Sequence, residues 1–95
     1  MTHQRHDDRR DENEAAIVHA LEERGDFVVR LGRGAGADLL IMNKTGLHIA
    51  EVKNPKKEWK YTESELERRE VCAILGIEYH LLFRPSDIAE IPNEQ

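Results

Sequence analysis

The spacing of hydrophobic residues along the chain predicts two helices. From residue 11 the apolar side chains fall three to four positions apart and share one helical face with Glu14, which predicts a first helix over 11–24. Thr62 and Glu65 have the spacing of a capping box, and Gly76 follows the next apolar stretch as a stop signal. A second helix is therefore expected between Thr62 and Gly76.

Four short runs rich in β-branched and other large apolar residues predict strands. They cover residues 27–31, 39–42, 47–52 and 77–83. The turn sequence Asn43-Lys-Thr-Gly46 between the second and third runs predicts a hairpin. After the fourth run, Ile88 and Ile91 could add one helical turn against the body. The order α-β-β-β-α-β predicts an α/β fold in which a mixed four-stranded sheet is flanked by helices.

The ends of the chain and its length define the domain. Residues 1–10 are polar throughout and cannot offset the entropy of ordering, so we expect a disordered tail followed by a single domain over 11–95. A domain of this size is marginal alone, which favours a homodimer. The chain has a single cysteine, Cys72, which predicts a reducing, cytoplasmic setting. Its apolar runs are too short to span a membrane, and its charged N-terminus is unlike a secretory signal, so we expect a protein that is neither membrane-spanning nor exported.

Charge is unevenly distributed along the chain. The net charge of −5 argues against binding to nucleic acid through a broad basic surface. Residues 30–61, however, carry seven Lys and Arg residues against three acidic residues, whereas both flanks are acidic. The positive charge is thus concentrated in the middle of the chain, and nucleic-acid binding through that segment stays open.

The predicted hairpin brings three charged side chains together at one end of the sheet. Asp38 opens the second strand, and Glu51 and Lys53 lie on the same face near the end of the third. Asp38 and Glu51 are nearly equidistant from the turn, so antiparallel pairing makes them cross-strand neighbours. Adjacent carboxylates repel unless one is protonated or a cation lies between them, and a hard divalent ion such as Mg²⁺ is the usual solution.

These residues have the chemistry that phosphodiester hydrolysis needs. The ion would polarise a phosphate and lower the pKa of its bound water, while Lys53 would orient the water or stabilise developing charge. The backbone carbonyl of Val52 could complete the coordination. Glu14 looks inward from the first helix and is a candidate fourth ligand, although the spacing Asp11-x-x-Glu14 also resembles a helix cap.

The segment Gly36-Ala37-Asp38, followed after twelve residues by Glu51-Val52-Lys53, resembles the D…ExK motif of the PD-(D/E)xK nuclease superfamily, with alanine in place of the usual proline. Over residues 11–84 the chain is similar to small stand-alone VRR-NUC domains and, more distantly, to archaeal-type Holliday junction resolvases. The resemblance implies a restriction-endonuclease-like αβββαβ core, Mg²⁺- or Mn²⁺-dependent cleavage of DNA, often branched, and a homodimer. It also implies that Glu14 is the family's helix-one glutamate.

One position departs from the family pattern. Such domains carry a glutamine early in the second helix, in a Ser/Thr-Pro-x-Gln segment, where this chain has Thr62-Glu-Ser-Glu65. We interpret Glu65 as a helix cap and not as a catalytic residue. This chain therefore lacks the glutamine that would make contacts to backbone or water in that family.

Basic and aromatic residues around the proposed centre have two interpretations. The basic residues could grip phosphates or could belong to a solvated loop; they are Arg33, Lys56, Lys57 and Lys60. Trp59 and Tyr61 could stack on unpaired bases, but packing against the body is favoured.

Glycines and histidines near the centre give weaker indications. The run Gly32-x-Gly34-x-Gly36 does not lead into a helix, so it is interpreted as a close approach of backbone to the site or substrate. The five histidines show no ligand spacing, and His48 lies on the strand face opposite Glu51, which argues against a zinc site.

The sequence thus predicts a Mg²⁺- or Mn²⁺-dependent DNA endonuclease. Branched DNA is the substrate class that the resemblance implies. Because 95 residues leave little surface for base readout, DNA structure or a protein partner must supply selectivity. Two alternatives stay open. One is a catalytically silent nucleic-acid-binding or protein-interaction module of the same fold, and the other is a toxin- or restriction-type nuclease whose specificity comes from a protein partner.

Overall fold

The described chain forms two α-helices, four strands and a short C-terminal 3-10 helix. The computed structural model describes the backbone of residues 4–32 and 34–94 and the side chains of residues 13–32 and 34–94. The elements are α1 (Gln4–Arg24), β1 (Phe27–Arg30), β2 (Leu39–Asn43), β3 (Gly46–Val52), α2 (Glu63–Leu75), β4 (Glu78–Leu82) and the 3-10 helix (Pro85–Glu90). The predicted mixed α/β fold is confirmed. Within these residues, no helix has the length and apolar character needed to span a bilayer.

Helix α1 begins earlier than predicted. It extends from Gln4, whereas the hydrophobic pattern predicted a start at Asp11 after a disordered tail over 1–10. No glycine or proline occurs between Gln4 and Arg24, so nothing in the sequence breaks the helix near residue 11. Residues 4–10 therefore belong to α1, and residues 1–3 lie outside the described chain.

The four strands form one mixed sheet in the order β1-β2-β3-β4. The pairs β1/β2 and β2/β3 are antiparallel, and β3/β4 is parallel. A two-residue turn joins β2 to β3 between Asn43 and Gly46, where Gly46 has a φ of 124° and the side chain of Asn43 accepts the Thr45 N–H at 2.8 Å. The predicted hairpin is confirmed, and α2 supplies the crossover that parallel pairing requires.

The hydrophobic core lies between α1 and one face of the sheet. Its buried side chains are Ile17, Leu21, Leu39, Ile41, Ala50, Val52, Leu82 and Ile91. Burying one large aliphatic side chain stabilises a fold by about 1.5–3 kcal/mol. Ile91, which directly follows the 3-10 helix, is 1% exposed, so the C-terminal segment closes this core as predicted.

Helix α2 packs on the opposite face, beside β4, and both of its predicted ends are confirmed. At its start, Thr62 Oγ1 accepts the Glu65 N–H and Glu65 Oε1 accepts the Thr62 N–H, which is a complete capping box. At its end, Gly76 has a φ of 76° in the left-handed region. These caps fix where α2 starts relative to the end of β3.

The segment between β1 and β2 approaches α2 closely at Gly36. With a φ of 80°, a Cβ added there would lie 2.7 Å from the backbone oxygen of Ser64 and 2.9 Å from Arg68 Cβ. Tyr79 donates its hydroxyl proton to the Gly36 oxygen at 2.8 Å. Gly36 therefore makes a close backbone approach, but to α2 and not to the site or substrate as predicted, whereas a Cβ at Gly32 or Gly34 would meet nothing within 4 Å.

Candidate functional site

Three predicted site residues meet at the end of the β2–β3 hairpin away from its turn. The strand pairing continues to a hydrogen bond from Asp38 N to Ala50 O at 3.0 Å, which brings Asp38 opposite Glu51. Asp38 Oδ2 accepts the backbone N–H of Val52 at 2.8 Å. Lys53 Nζ lies 3.3 Å from Glu51 Oε2. The hairpin register thus brings the three side chains together as the turn position predicted.

A fourth charged residue, Glu65, reaches the same cluster from α2. Its Oε1 lies 3.0 Å from Lys53 Nζ, so the ammonium group is held between Glu51 and Glu65. The cap role predicted for Glu65 is confirmed, because the same oxygen accepts the Thr62 N–H. Its contact with Lys53 was missed, since only the packing of α2 against the glycine segment decides where the first turn of the helix lies.

Burial controls the protonation of these groups. Glu51 is 2% exposed, and its Oε1 has no hydrogen-bond partner. Burial, the hydrogen bond with Glu65 and the Asp38 carboxylate raise the pKa of Glu51 to about 9. Burial by itself would lower the pKa of Lys53, but Glu65 and Glu51 outweigh it and raise that pKa. In the absence of a cation, Glu51 therefore holds a proton at neutral pH while Lys53 stays positive.

Asp38 and Glu51 are the residues of this cluster that could hold a divalent cation. A buried carboxylate oxygen without a hydrogen-bond partner, next to a second carboxylate, destabilises the ionised state, and a cation removes that cost. Binding would displace the proton from Glu51. Carboxylate ligands favour hard ions, a class that includes Mg²⁺ and Mn²⁺.

Glu14 has a different partner. It is buried, and its Oε2 accepts a hydrogen bond from Arg30 Nε at 2.8 Å. Arg30 alternates with exposed Val29 and projects toward the face covered by α1, whereas Glu51 projects toward α2. Among the residues with described side chains, Glu14, Asp38 and Glu51 do not form a group whose ligand atoms all lie within 4.8 Å. The metal role of Glu14 stays a prediction.

The basic residues predicted to grip phosphates lie mainly in the segment that follows β3. Lys56, Lys57 and Lys60 are all exposed. Asn54 fixes the start of this segment, because its Oδ1 accepts the Lys56 N–H at 2.8 Å. Arg33, the fourth predicted contact, lies outside the described residues. Three accessible ammonium groups therefore follow Lys53 closely in sequence.

Aromatic contacts hold this segment against the body of the protein. The ring of Trp59 lies 5.3 Å from that of Tyr61 and 5.6 Å from that of Phe83, both in edge arrangements. Tyr61 in turn contacts the ring of Tyr79 at 6.4 Å, and the Arg69 guanidinium lies 4.6 Å from its centroid. The packing interpretation of Trp59 and Tyr61 is confirmed.

A second polar cluster lies on the opposite face of the sheet, and sequence analysis missed it. His48 Nδ1 lies 3.3 Å from Glu78 Oε1, and His80 Nε2 lies 3.0 Å from the same oxygen. Burial and the nearby His48 ring lower the pKa of His80, which favours the neutral imidazole. The argument against a zinc site rested on sequence spacing and is corrected, because parallel pairing of β3 with β4 brings distant residues together.

No family model, no curated protein and no solved structure matches this chain. The resemblance to PD-(D/E)xK nucleases therefore rests on the motif residues and on the order of elements. Function has to be argued from the chemistry of the two clusters themselves.

Proposed function

We propose that this protein is a divalent-metal-dependent nuclease that hydrolyses DNA phosphodiester bonds, with Asp38, Glu51 and Lys53 as its catalytic residues. One observation carries the proposal. A buried glutamate oxygen without a hydrogen-bond partner belongs to a carboxyl group that lies beside a second carboxylate and 3.3 Å from a lysine ammonium. A purely structural role does not account for it, because the buried carboxyl group has one oxygen without a hydrogen-bond partner and is costly to ionise beside Asp38.

Each residue has a defined part in this proposal. Asp38 and Glu51 hold Mg²⁺ or Mn²⁺, with the Val52 carbonyl and Glu14 as further candidate ligands. The bound ion lowers the pKa of a water molecule and offsets charge on the phosphate. Lys53 presents its ammonium group to the charge that develops on the phosphate. Glu51 must lose its proton before both carboxylates can bind a cation, so rising pH favours the active state.

We assign the finer architecture to the restriction-endonuclease-like core of VRR-NUC domains and Holliday junction resolvase-like enzymes. Two features support the assignment. The acidic residue directly precedes β2, and the Glu-x-Lys triplet spans the end of β3, so the motif occupies the end of a hairpin. One helix precedes this hairpin and its neighbour β1, and another connects β3 to β4.

Branched or junction DNA is the proposed substrate class. Lys56, Lys57 and Lys60 are exposed, follow Lys53 closely in sequence and can bind the phosphate backbone without reading base sequence. Arg33 is assigned the same role on its sequence position alone. A chain of this length must therefore select DNA by its shape, or through a protein partner.

A homodimer is proposed as the working form, since paired cuts require two sites. What supports it is an uncovered apolar strip on the α2 face of the sheet, where Phe27 is 63% exposed and Leu47 is 40% exposed. Both residues pair across strands with Met42, so their side chains form one row. Sedimentation at rising protein concentration should show a dimer that Phe27→Ser shifts toward monomer. A wild-type chain that stays monomeric would contradict this part of the proposal.

A reducing, cytoplasmic setting is proposed for the protein. Cys72 is free and buried in the structure, and burial raises the pKa of its thiol. Such a thiol behaves as a small apolar side chain and needs no disulfide partner.

The alternative is a catalytically silent binding or interaction module of the same fold. One observation favours it: Lys53 Nζ already lies 3.3 Å from Glu51 and 3.0 Å from Glu65, so its charge is balanced without substrate or metal. A silent module would bind DNA through its exposed lysines and would cut nothing.

Cleavage of labelled DNA distinguishes the nuclease from the silent binding module. Single-stranded, duplex, flap and four-way-junction DNA are incubated with Mg²⁺, Mn²⁺ or EDTA, using the wild-type chain, Glu51→Gln and Glu58→Gln. Glu58 is an exposed acid of the nearby loop and is the matched control. The nuclease requires metal-dependent cutting that Glu51→Gln abolishes and Glu58→Gln retains. A folded protein that binds DNA and cuts none of these substrates would favour the silent module.

A further inference from the structure

Strand pairing places three potential metal ligands on the α1 face of the sheet. In the parallel pair of β3 and β4, His48 lies opposite Glu78 and Ala50 lies opposite His80. Side chains two positions apart in a strand share a face, so both histidines and the glutamate project to the same side. The cluster lies near the turn end of β3, on the face opposite Glu51.

The separations of the ligand atoms suit a four-coordinate ion. His48 Nδ1 and His80 Nε2 lie 3.3 and 3.0 Å from Glu78 Oε1, and the three atoms all lie within 4.8 Å of one another. A tetrahedral zinc ion with bonds of about 2.0–2.1 Å holds its ligand atoms about 3.3 Å apart. Two of the three separations already match this value.

Both imidazole nitrogens that face the carboxylate lack hydrogen-bond partners. His48 Nδ1 and His80 Nε2 are buried and make no hydrogen bond within the described chain. His48 as a whole is 3% exposed, whereas the Glu78 side chain is 55% exposed, so the cluster is open to solvent on the Glu78 side. A buried polar atom left without a partner destabilises a fold by about 1–3 kcal/mol unless something binds it.

The tautomer of His48 strengthens the case for a cation. Thr45 Oγ1 donates its proton to Asn43 Oδ1, so it can only accept from His48 Nε2, which lies 2.8 Å away. The Nε2 atom therefore carries a proton, which leaves Nδ1 as the ring nitrogen that can share a cation with the Glu78 carboxylate, whose Oε1 lies 3.3 Å away.

We propose that His48, Glu78 and His80 bind a divalent ion of the zinc class that ties the start of β4 to β3. Two imidazoles and one carboxylate form a nitrogen-rich set that favours zinc and its neighbours over magnesium, and water supplies the fourth ligand. The hydrogen bond from His48 to Thr45 orients the ring as outer contacts of metal-binding histidines do. Because its ligands come from both strands, the ion would join β4, which lies at one edge of the sheet, to its neighbour β3.

Zinc binding to the full chain tests the proposal. The protein is stripped of metal with EDTA and exchanged into buffer with excess Mg²⁺ to occupy the carboxylate cluster of Asp38, Glu51 and Glu65. It is then titrated with Zn²⁺ by calorimetry. We expect one Zn²⁺ per chain. Glu78→Gln and His80→Gln should each weaken binding by more than about 100-fold, and Thr45→Ala by about 10- to 100-fold. Bound Co²⁺ should show the visible absorption of a four-coordinate ion.

Two control variants locate the ion. His19→Gln removes a histidine whose side chain is 73% exposed, and Glu51→Gln removes a ligand of the carboxylate cluster; both should keep the wild-type affinity for Zn²⁺. The Glu78 side chain is 55% exposed, so Glu78→Gln should fold even where His80→Gln does not. Absence of stoichiometric Zn²⁺ binding overturns the proposal. So does binding that survives Glu78→Gln, or binding that Glu51→Gln abolishes.

Discussion

The two faces of the sheet carry polar clusters that differ in charge. On the α2 face, two carboxyl groups contact one ammonium group, and the Asp38 carboxylate lies near Glu51, so acidic groups outnumber basic ones. On the α1 face, two imidazoles share a single carboxylate. A single strand, β3, contributes to both, because Glu51 and His48 project to opposite sides. The first cluster suits a hard ion with oxygen ligands and the second an ion that prefers nitrogen.

The difference also concerns what each cluster exposes to solvent and substrate. The carboxylate cluster lies at the end of β3, and the exposed residues Lys56, Lys57 and Lys60 follow this strand in sequence. The histidine cluster lies against the hydrophobic core, with His48 nearly inaccessible. Accessible charge beside a buried acid is useful for chemistry on a polyanion, whereas a shielded ligand set is useful for holding strands together. Substitutions in one cluster should leave the other unchanged, so the second cluster is an internal control.

The largest effect is expected for Lys53→Ala. Loss of the only ammonium group within 3.3 Å of Glu51 in the described chain should lower metal-dependent cleavage by at least about 100-fold, because no charge remains to stabilise the phosphate. Metal binding and the fold should persist. The measurement is single-turnover cleavage beside Lys57→Ala, an exposed lysine whose loss should weaken DNA binding only slightly. Undiminished cleavage by Lys53→Ala would remove the catalytic role assigned to this lysine.

Gly36→Ala should have the next largest effect, because the added Cβ would clash with α2 on the face that carries Glu51 and Glu65. The added Cβ would meet the Ser64 backbone oxygen at 2.7 Å, and alanine is strained at a φ of 80°. We expect a loss of about 1–3 kcal/mol in the free energy of unfolding, measured with urea. Gly34→Ala has a similar φ of 90° but meets nothing within 4 Å, so it should cost less. Equal losses in the two variants would show that the close approach to α2 does not matter.

Stability should fall as pH rises, through Glu51. Its folded pKa of about 9 lies above the ordinary value of 4.5, so between these values the native state keeps a proton that the unfolded chain has lost. The protonated carboxyl therefore stabilises the fold fully below the lower value, and this contribution is lost as pH approaches the higher one. The slope is at most about 1.4 kcal/mol per pH unit for one proton.

Urea unfolding in EDTA at several pH values measures this slope. Glu51→Gln cannot ionise and should lose less stability over the same pH range, whereas the exposed Glu23→Gln should follow the wild type. Parallel curves for wild type and Glu51→Gln would contradict the raised pKa. The histidine cluster offers no such trend between neutral pH and pH 9, since burial lowers the pKa of His80.

The smallest effect is expected for Glu65→Gln. Glutamine preserves the capping box, so the free energy of unfolding should change by less than about 0.5 kcal/mol, whereas Glu65→Ala loses the cap and about 1 kcal/mol. Removal of the Glu65 charge lowers the pKa of Glu51, so Mg²⁺-dependent cleavage should begin at lower pH. A pH profile of cleavage identical to that of the wild type would contradict the coupling of these two carboxyl groups.

Much of the carboxylate cluster could be predicted because its geometry is local. The turn at Asn43–Gly46 fixes the pairing of β2 with β3, and the two-residue period of a strand then decides that Asp38, Glu51 and Lys53 converge. The caps of α2 were equally visible, since Thr62, Glu65 and Gly76 act on their own neighbours. The start of α1 could not be predicted, because residues 4–10 contain neither an apolar pattern nor a helix breaker.

The sequence by itself thus determined the order of elements, the hairpin register and the residues that meet across one turn. Only the tertiary structure decided that Glu65 contacts Lys53 and that His48 meets Glu78 and His80. Both outcomes depend on how the crossover from β3 through α2 to β4 closes. A connection of this length does not fix the register between the two strands that it joins. The pairing of β3 with β4 is instead selected by packing of the whole fold against the core.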